Sequence, residues 1–457
     1  MMEITRRTVV GAIGASVFAL DRAGAQTSGM TGMSGAAPSG APRVLEARKA
    51  GLKLGAATGE TQIWGYDGAS PGPLLRVKQG EDVRVQLVNR LDQPTTLHWH
   101  GLRNENAMDG VAGLTQPAVP PGGSFDYRFR AADSGLYLYR PAGVSAEQTA
   151  RGLAGLLIVD EASPPEVDRD LAFVLQDWAL QPDGAFTGAF GEPMAAAGAG
   201  RIGGLVTANG VAAPIRESFA PGARVRLRLA NACAARIAIL TFAGVRPFVL
   251  AIDGQPCEPF EPVRNILPVA PGARFDLMFD LPTHEGAEAK ILLKDGETTL
   301  KDLAVFALAG ARVGARGPIP SLPVNATLPP EIRLGQATKL TLTLDAPRTP
   351  GGAWTVNGAK GGYGGPPVLK ARRGTPLSIA FVNKSAAALS MHVHGQAMRL
   401  LHDLDDGWEP YWRNAVIVPR HARKIVALLP QAPGRWAVRC DIADHEAAGL
   451  ATWIEVT

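Results

Sequence analysis

Read for the alternation of apolar and polar residues, the chain writes one pattern three times. The stretches Gly80-Glu81-Asp82-Val83-Arg84-Val85-Gln86-Leu87-Val88-Asn89, Gly222-Ala223-Arg224-Val225-Arg226-Leu227-Arg228-Leu229-Ala230-Asn231 and Gly374-Thr375-Pro376-Leu377-Ser378-Ile379-Ala380-Phe381-Val382-Asn383 each alternate and stop at Asn. A period of two predicts a strand with one face buried, and the terminal Asn predicts a turn after it. A second stretch repeats downstream as Pro121-Gly122-Gly123-Ser124-Phe125-Asp126-Tyr127, as Pro271-Gly272-Ala273-Arg274-Phe275-Asp276-Leu277 and, more loosely, as Pro419-Arg420-His421-Ala422-Arg423-Lys424-Ile425. Copies roughly 140 to 150 residues apart suit β-sandwiches of domain size. The expected architecture is all-β, with three homologous domains over residues 43–160, 166–312 and 331–457. Linkers are expected where Pro and charge cluster, at Ala162-Ser163-Pro164-Pro165 and from Gly314 to Pro330.

Composition adds an address and removes some functions. A chain of 457 residues with 53 Gly and 36 Pro fits several domains of short strands joined by turns. The N-terminus carries Arg6-Arg7, an apolar run to Leu20 and Ala23-Gly24-Ala25. It resembles a twin-arginine export signal over residues 1–25, since about 12 apolar residues are too few for a bilayer that needs about 20. The mature chain is then expected in the periplasm or outside the cell, without a transmembrane segment. Residues 26–42 read as a flexible tether, with Met30 and Met33 as linker residues. A net charge of +4 without a basic cluster beside aromatics excludes a nucleic-acid partner. Three cysteines in an oxidising compartment allow one disulfide and one thiol left over.

The candidate chemistry sits in two tripeptides. Of eight histidines, four fall in His98-Trp99-His100 and His392-Val393-His394. Alternate residues of a strand share a face, so each pair presents two imidazoles together. Nine residues beyond the repeated Asn stand His98, Leu240 and His392, and two further on stand His100, Phe242 and His394. The outer modules carry imidazoles where the middle one is apolar, which predicts a metal between the first and third modules. Imidazole favours zinc, copper, iron or nickel. The competing reading makes the four histidines occupants of a polar, water-filled hole.

Further motifs carry a family likeness: His98-Trp99-His100-Gly101-Leu102-Arg103, Met108-Asp109-Gly110-Val111, Thr115-Gln116-Pro117, Gly152-Leu153-Ala154-Gly155-Leu156-Leu157-Ile158-Val159, Asp253-Gly254-Gln255-Pro256, and Cys440 with His445. In these the chain resembles the three-domain multicopper oxidases, the laccases, cuprous oxidases and their kin, across essentially everything after the tether. The resemblance implies three cupredoxin-like Greek-key β-barrels or sandwiches. It also implies a type 1 copper that accepts electrons and a three-copper cluster, between domains one and three, that reduces dioxygen.

Several ligands implied by the family are missing. His98 and His392 match the type 2 copper ligands, and His100 and His394 match two of the six type 3 ligands. The other four are gone, because the family's Trp-Tyr-His-Ser-His reads Leu138-Tyr139-Arg140-Pro141-Ala142 and its His-Cys-His motif reads Arg439-Cys440-Asp441-Ile442-Ala443-Asp444-His445. The type 1 site keeps Cys440 and His445, with Leu450 in the axial place, but Leu389-Ser390 replaces the His-Pro that carries the second imidazole. Arg140, Arg439 and Asp441 are expected to fill the emptied type 3 cavity as ion pairs.

The expected function is an exported copper-binding protein with one type 2-like ion on His98 and His392, with His100 and His394 beside it. A small molecule or a copper ion would be its substrate, residual copper-dependent redox chemistry its activity, and four-electron oxidase turnover is not expected. Asp109 and Glu446 stand where the family places proton relays; the plainer expectation is a turn residue and a solvated one. Cys440 is expected as a buried thiol, Cys233 and Cys257 as a disulfide within module two, and His284, His402 and His421 as surface or loop residues. The alternative function is a metal-free envelope scaffold with a protein partner, similar to SufI-type cell-division proteins. A third reading has a small anion bound by Arg140 and Arg439.

Overall fold

A computed structural model describes residues 41–457 except 145, 297 and 403–406; the expected export signal and most of the expected tether lie outside the described residues. The described strands form six sheets that face each other in pairs. In the first pair, Thr61–Tyr66, Arg43–Leu52, Asp82–Asn89 and Ser124–Arg130 lie across from Leu75–Lys78, Gly155–Asp160, Gly135–Arg140 and His98–His100. Leu45, Val85, Leu87, Trp99, Tyr127 and Tyr137 fill the space between them. The second pair has seven and five strands and the third has six and five, each around its own core. The architecture is mostly β, as the alternation predicts, and no helix among the described residues is long and apolar enough to cross a membrane.

The repeated Asn has a physical reason. Asn89, Asn231 and Asn383 are fully buried at the ends of Asp82–Asn89, Arg224–Asn231 and Leu377–Asn383. Each side-chain oxygen accepts from the backbone N–H two residues on, at Leu91, Cys233 and Ser385. Each amide donates to a carbonyl four or five residues on, at Gln93, Arg236 and Ala387. It also donates to the carbonyl of Val119, Val269 or Val418, just before the repeated turn. One amide therefore closes the local turn and ties it to the distant Pro-containing turn, satisfying backbone groups that burial would otherwise strand. In that distant turn the left-handed position is Gly122, Gly272 or His421, which is why the third copy looks loose in sequence.

The middle repeat departs from the half-buried expectation, since every residue of Arg224–Asn231 is buried. Its polar face lies against the first unit. Arg226 pairs with Glu161 and Asp276, and Arg228 with Asp170. Asp170 also meets Arg76 of the first unit. A guanidinium tolerates such burial when carboxylates satisfy its fork.

The segment 314–330 is pinned rather than loose. Asn325 is buried, donates to Ser134 O and to Gln255 Oε1, and accepts from Ser134 N. Thr327 donates to Asp133, which also holds Arg103. Where all three units meet, buried Arg274 donates to Leu136 O, Gly272 O and Asp253 O, while Asp253 accepts from Asn414 N.

All three cysteines are free, so the expected Cys233–Cys257 bridge is not formed. Cys233 follows Arg224–Asn231, whereas Cys257 lies on Gln255–Phe260, and the strands Arg274–Asp280 and Phe248–Ile252 intervene in the sheet. Three strand spacings amount to about 14 Å, twice the Cα separation that a disulfide spans.

Asn231→Ala removes the clamp from the module that places no histidine in the seam and strands two carbonyls and an N–H. A loss of about 2–4 kcal/mol in denaturant unfolding is expected. Burial by itself would raise the Glu161 and Asp170 carboxyls, but Arg226 and Arg228 outweigh it and hold both below their usual range. Their contribution is present above the unfolded values near about pH 4 and is lost as pH falls through the lower folded ones. Thermal scans should show a Tm steady down to about pH 5 and falling below it. Glu161→Gln should lower the plateau and flatten the fall.

Candidate metal centre

Two sister strands set the centre. His98–His100 runs antiparallel to Gly135–Arg140, with His98 opposite Arg140 and His100 opposite Leu138. Leu389–Val393 runs antiparallel to Gly434–Cys440, with His392 opposite Arg439 and Met391 opposite Cys440. Trp99 points into the first core, and Met391 and Val393 point into the third. Alternation then sends His98, His100, His392 and His394 out of those cores, into the seam between the first and third units. The strand pair in the middle unit presents Leu240 opposite Leu293. Gly272 of the middle unit walls the seam with φ of 83°, and a Cβ there would lie 2.6 Å from His100 Nε2.

The four rings are at most 1% exposed. The His98 and His394 ring centres are 4.0 Å apart, His100 and His392 4.1 Å, and His392 and His394 4.5 Å. Burial pushes His392 down to about 4 and His100 and His394 well below the usual range, which keeps these three rings neutral.

The nitrogens differ in what they are free to do. His98 Nδ1 lies 2.6 Å from the Asp109 carbonyl, which makes it the donor and leaves Nε2 a lone pair. His394 Nδ1 donates to Asp109 Oδ2 at 2.9 Å, and Arg439 Nε donates to His394 Nε2 at 2.7 Å. Both nitrogens of His394 are therefore engaged. His98 Nε2 and both nitrogens of His100 and of His392 have no hydrogen-bond partner. One nitrogen from each of these three rings lies within 4.8 Å of the others. His98, Asp109 and His394 form a second group within that limit, held by the hydrogen bonds just described.

Arg140, Arg439 and Asp441 meet in space, all buried. Arg140 Nη2 donates to Asp441 Oδ1 at 2.7 Å, and Arg439 Nη2 lies 3.3 Å from the same oxygen. Asp441 Oδ2 is 3.4 Å from His100 Nε2. Burial, with Arg439 nearby, lowers the Arg140 guanidinium to about 10 despite Asp441. Burial would lower Arg439 too, but Glu446 and Asp441 outweigh it and raise its value.

Asp109 stands in a turn before Gly110, as expected, yet its carboxylate is buried between two imidazoles. Burial by itself would raise that carboxyl; His394 and His98 outweigh it and hold it well below the usual range. Glu446 is not a solvated residue. It accepts from Gly143 N at 3.1 Å and Tyr363 Oη at 3.0 Å, and pairs with Arg439. Tyr363 had no signal in the sequence beyond its glycine-rich surroundings.

Cys440 and His445 also lie together, with Sγ 3.6 Å from Nδ1 and His445 Nε2 donating to Gly198 O at 2.8 Å. Burial pushes the Cys440 thiol up to about 12 and His445 down to about 4, so the pair is a neutral thiol beside a neutral ring. Ser390 Oγ turns to Pro271 O, and Leu450 is fully buried. His284 and His421 are exposed and His402 is half-buried.

Known proteins resemble the whole chain. Two family models, both described as multicopper oxidase, match residues 52–164 and 333–457. The multicopper oxidase MmcO of Mycobacterium tuberculosis is 28% identical over 99% of this chain and 97% of its own. A copper resistance protein A homologue of Pseudomonas syringae is 36% identical over 28% of this chain and 23% of its own. The crystal structure of a multicopper oxidase from Pseudomonas thermotolerans superimposes with a TM-score of 0.82 at 31% identity, covering 91% of this chain and 99% of that one.

Asp441→Asn should leave Arg140 and Arg439 buried without their shared carboxylate. Breaking a buried pair from one side costs about 3–5 kcal/mol, so a large fall in unfolding free energy is expected. Arg140→Met with Asp441→Asn should recover part of it.

Proposed function

The chain belongs to the multicopper oxidase family, and from that premise we propose an exported copper protein with one type 2-like copper ion on His98, His100 and His392. The observation that carries this reading is the set of unpartnered nitrogens. Five buried imidazole nitrogens on these three rings lack a partner, whereas His394 has both of its own engaged. Buried polar atoms are seldom left so, and neutral imidazole lone pairs suit copper or zinc, with copper favoured by affinity order and by family. Bound there, copper would supply a one-electron redox centre and a Lewis acid.

The protein's own residues hold this arrangement. Asp109 fixes the donor nitrogen of His98, as outer partners of metal-bound histidines do, and Arg439 takes His394 out of the donor set. Arg140 and Arg439 stand opposite the two type 2 histidines, where further type 3 ligands would come from in fully active relatives. Cys440 and His445 without a second imidazole make a poor electron-accepting site. Four-electron reduction of dioxygen is therefore outside the proposal, which extends to copper handling or slow copper-dependent redox chemistry. A relative named for copper resistance points the same way. The paired Arg6-Arg7 supports export, and with it a periplasmic or secreted address. A metal-free scaffold would have no use for five unpartnered imidazole nitrogens in a buried seam.

Copper loading of the mature chain tests this. About one non-blue copper per chain is expected to remain after loose metal is removed, with a spin-resonance signal when oxidised. His98→Ala and His392→Ala should lose it, and His394→Ala should keep it. Three or four coppers with a strong blue band, or none at all, would overturn the reading.

A further inference from the structure

We propose that the charge built into the seam selects a monovalent cation, so that His98, His100 and His392 hold Cu(I) in preference to Cu(II) or Zn(II). This rests on the ligand assignment above and concerns the oxidation state of the same site. Around the three rings the charged groups are buried Asp109 and Asp441 and partly buried Glu446 against buried Arg140 and Arg439, three carboxylates to two guanidiniums. One negative charge is left over. His394 adds none, because its Nε2 accepts from Arg439 and is unprotonated. Arg274 adds none either, since it is set against Asp253 at 3.9 Å and capped by three carbonyls.

A monovalent ion brings this cluster to neutrality, whereas a divalent one leaves a net positive charge out of reach of water. Uncompensated buried charge is the expensive case. The donors agree with the charge. The three neutral nitrogens include no anionic donor, and the two carboxylates beside them each have one oxygen engaged, Asp441 Oδ1 by Arg140 and Asp109 Oδ2 by His394, with the other oxygen unpartnered. Arg140 Nε is also buried without an acceptor. A divalent ion reaches neutrality only by carrying in an anion of its own.

The test is the midpoint potential of the copper-loaded protein, followed through the Cu(II) spin-resonance signal, in the wild type and two charge variants. Arg140→Gln removes a positive charge and should favour Cu(II) by about tenfold, lowering the potential by about 59 mV. Glu446→Gln removes a negative charge and should raise it by a similar amount. The wild type should hold copper reduced under conditions where free Cu(II) stays oxidised, and should retain Cu(I) against chelators better than Zn(II). Opposite shifts cannot come from partial unfolding, which moves both variants alike. Copper held with a potential unmoved, or moved in one direction, by both variants would overturn the charge argument and leave the ligand assignment standing. Copper held in neither state would overturn both.

Discussion

The seam depends on one buried carboxylate. Asp441 stands between Arg140 and Arg439, two guanidiniums that two copies of the same module place opposite two histidines. Without an anion there, two cations would face each other in a space closed to water, and the first and third units could not approach as they do. With it, the arginines become fixed parts. Arg140 is anchored, and Arg439 is free to reach His394 on one side and Glu446 on the other. That His394 alone among the four rings has both nitrogens engaged follows from where that second arginine points.

The frame that brings these strands together repeats a single device. A buried Asn at the end of one strand closes its own turn and holds the turn before the next, in all three units. Because the device is local, the modules could diverge elsewhere without losing their shape. The middle unit gave up imidazoles for Leu240 and Phe242 and turned its arginine face toward the first unit, where Arg226 and Arg228 meet carboxylates. The third carries His392 and His394 at the corresponding places. The pinned segment around Asn325 and the capped Arg274 then lock the units against each other, so the seam is a fixed surface.

Such rigidity keeps the seam closed around the four imidazoles, Arg140, Arg439 and Asp441, all at most 2% exposed. The guanidiniums of Arg140 and Arg439 bring their own compensation in Asp441. Asp109 and Glu446 belong to the same economy. Each bridges groups from different strands, Asp109 between two imidazoles and Glu446 between Tyr363, Gly143 and Arg439. Their burial holds the seam's geometry and sets its charge.

Much of this was legible in the residues alone. Periodicity and spacing are local properties, so the three modules, the repeated Asn, the two histidine pairs and the apolar replacements at Leu240 and Phe242 could be read directly. That Arg140, Arg439 and Asp441 would pair was an expectation of the sequence, and the structure brings them together. What tertiary structure decided was which groups meet once the strands are placed. It put two strands between Cys233 and Cys257, buried the arginine face that alternation assigned to solvent, and gave the nitrogens of His394 to Asp109 and Arg439. The reason is physical: alternation states which way a side chain points from its own strand, whereas its partner comes from a distant part of the chain, and only packing selects it.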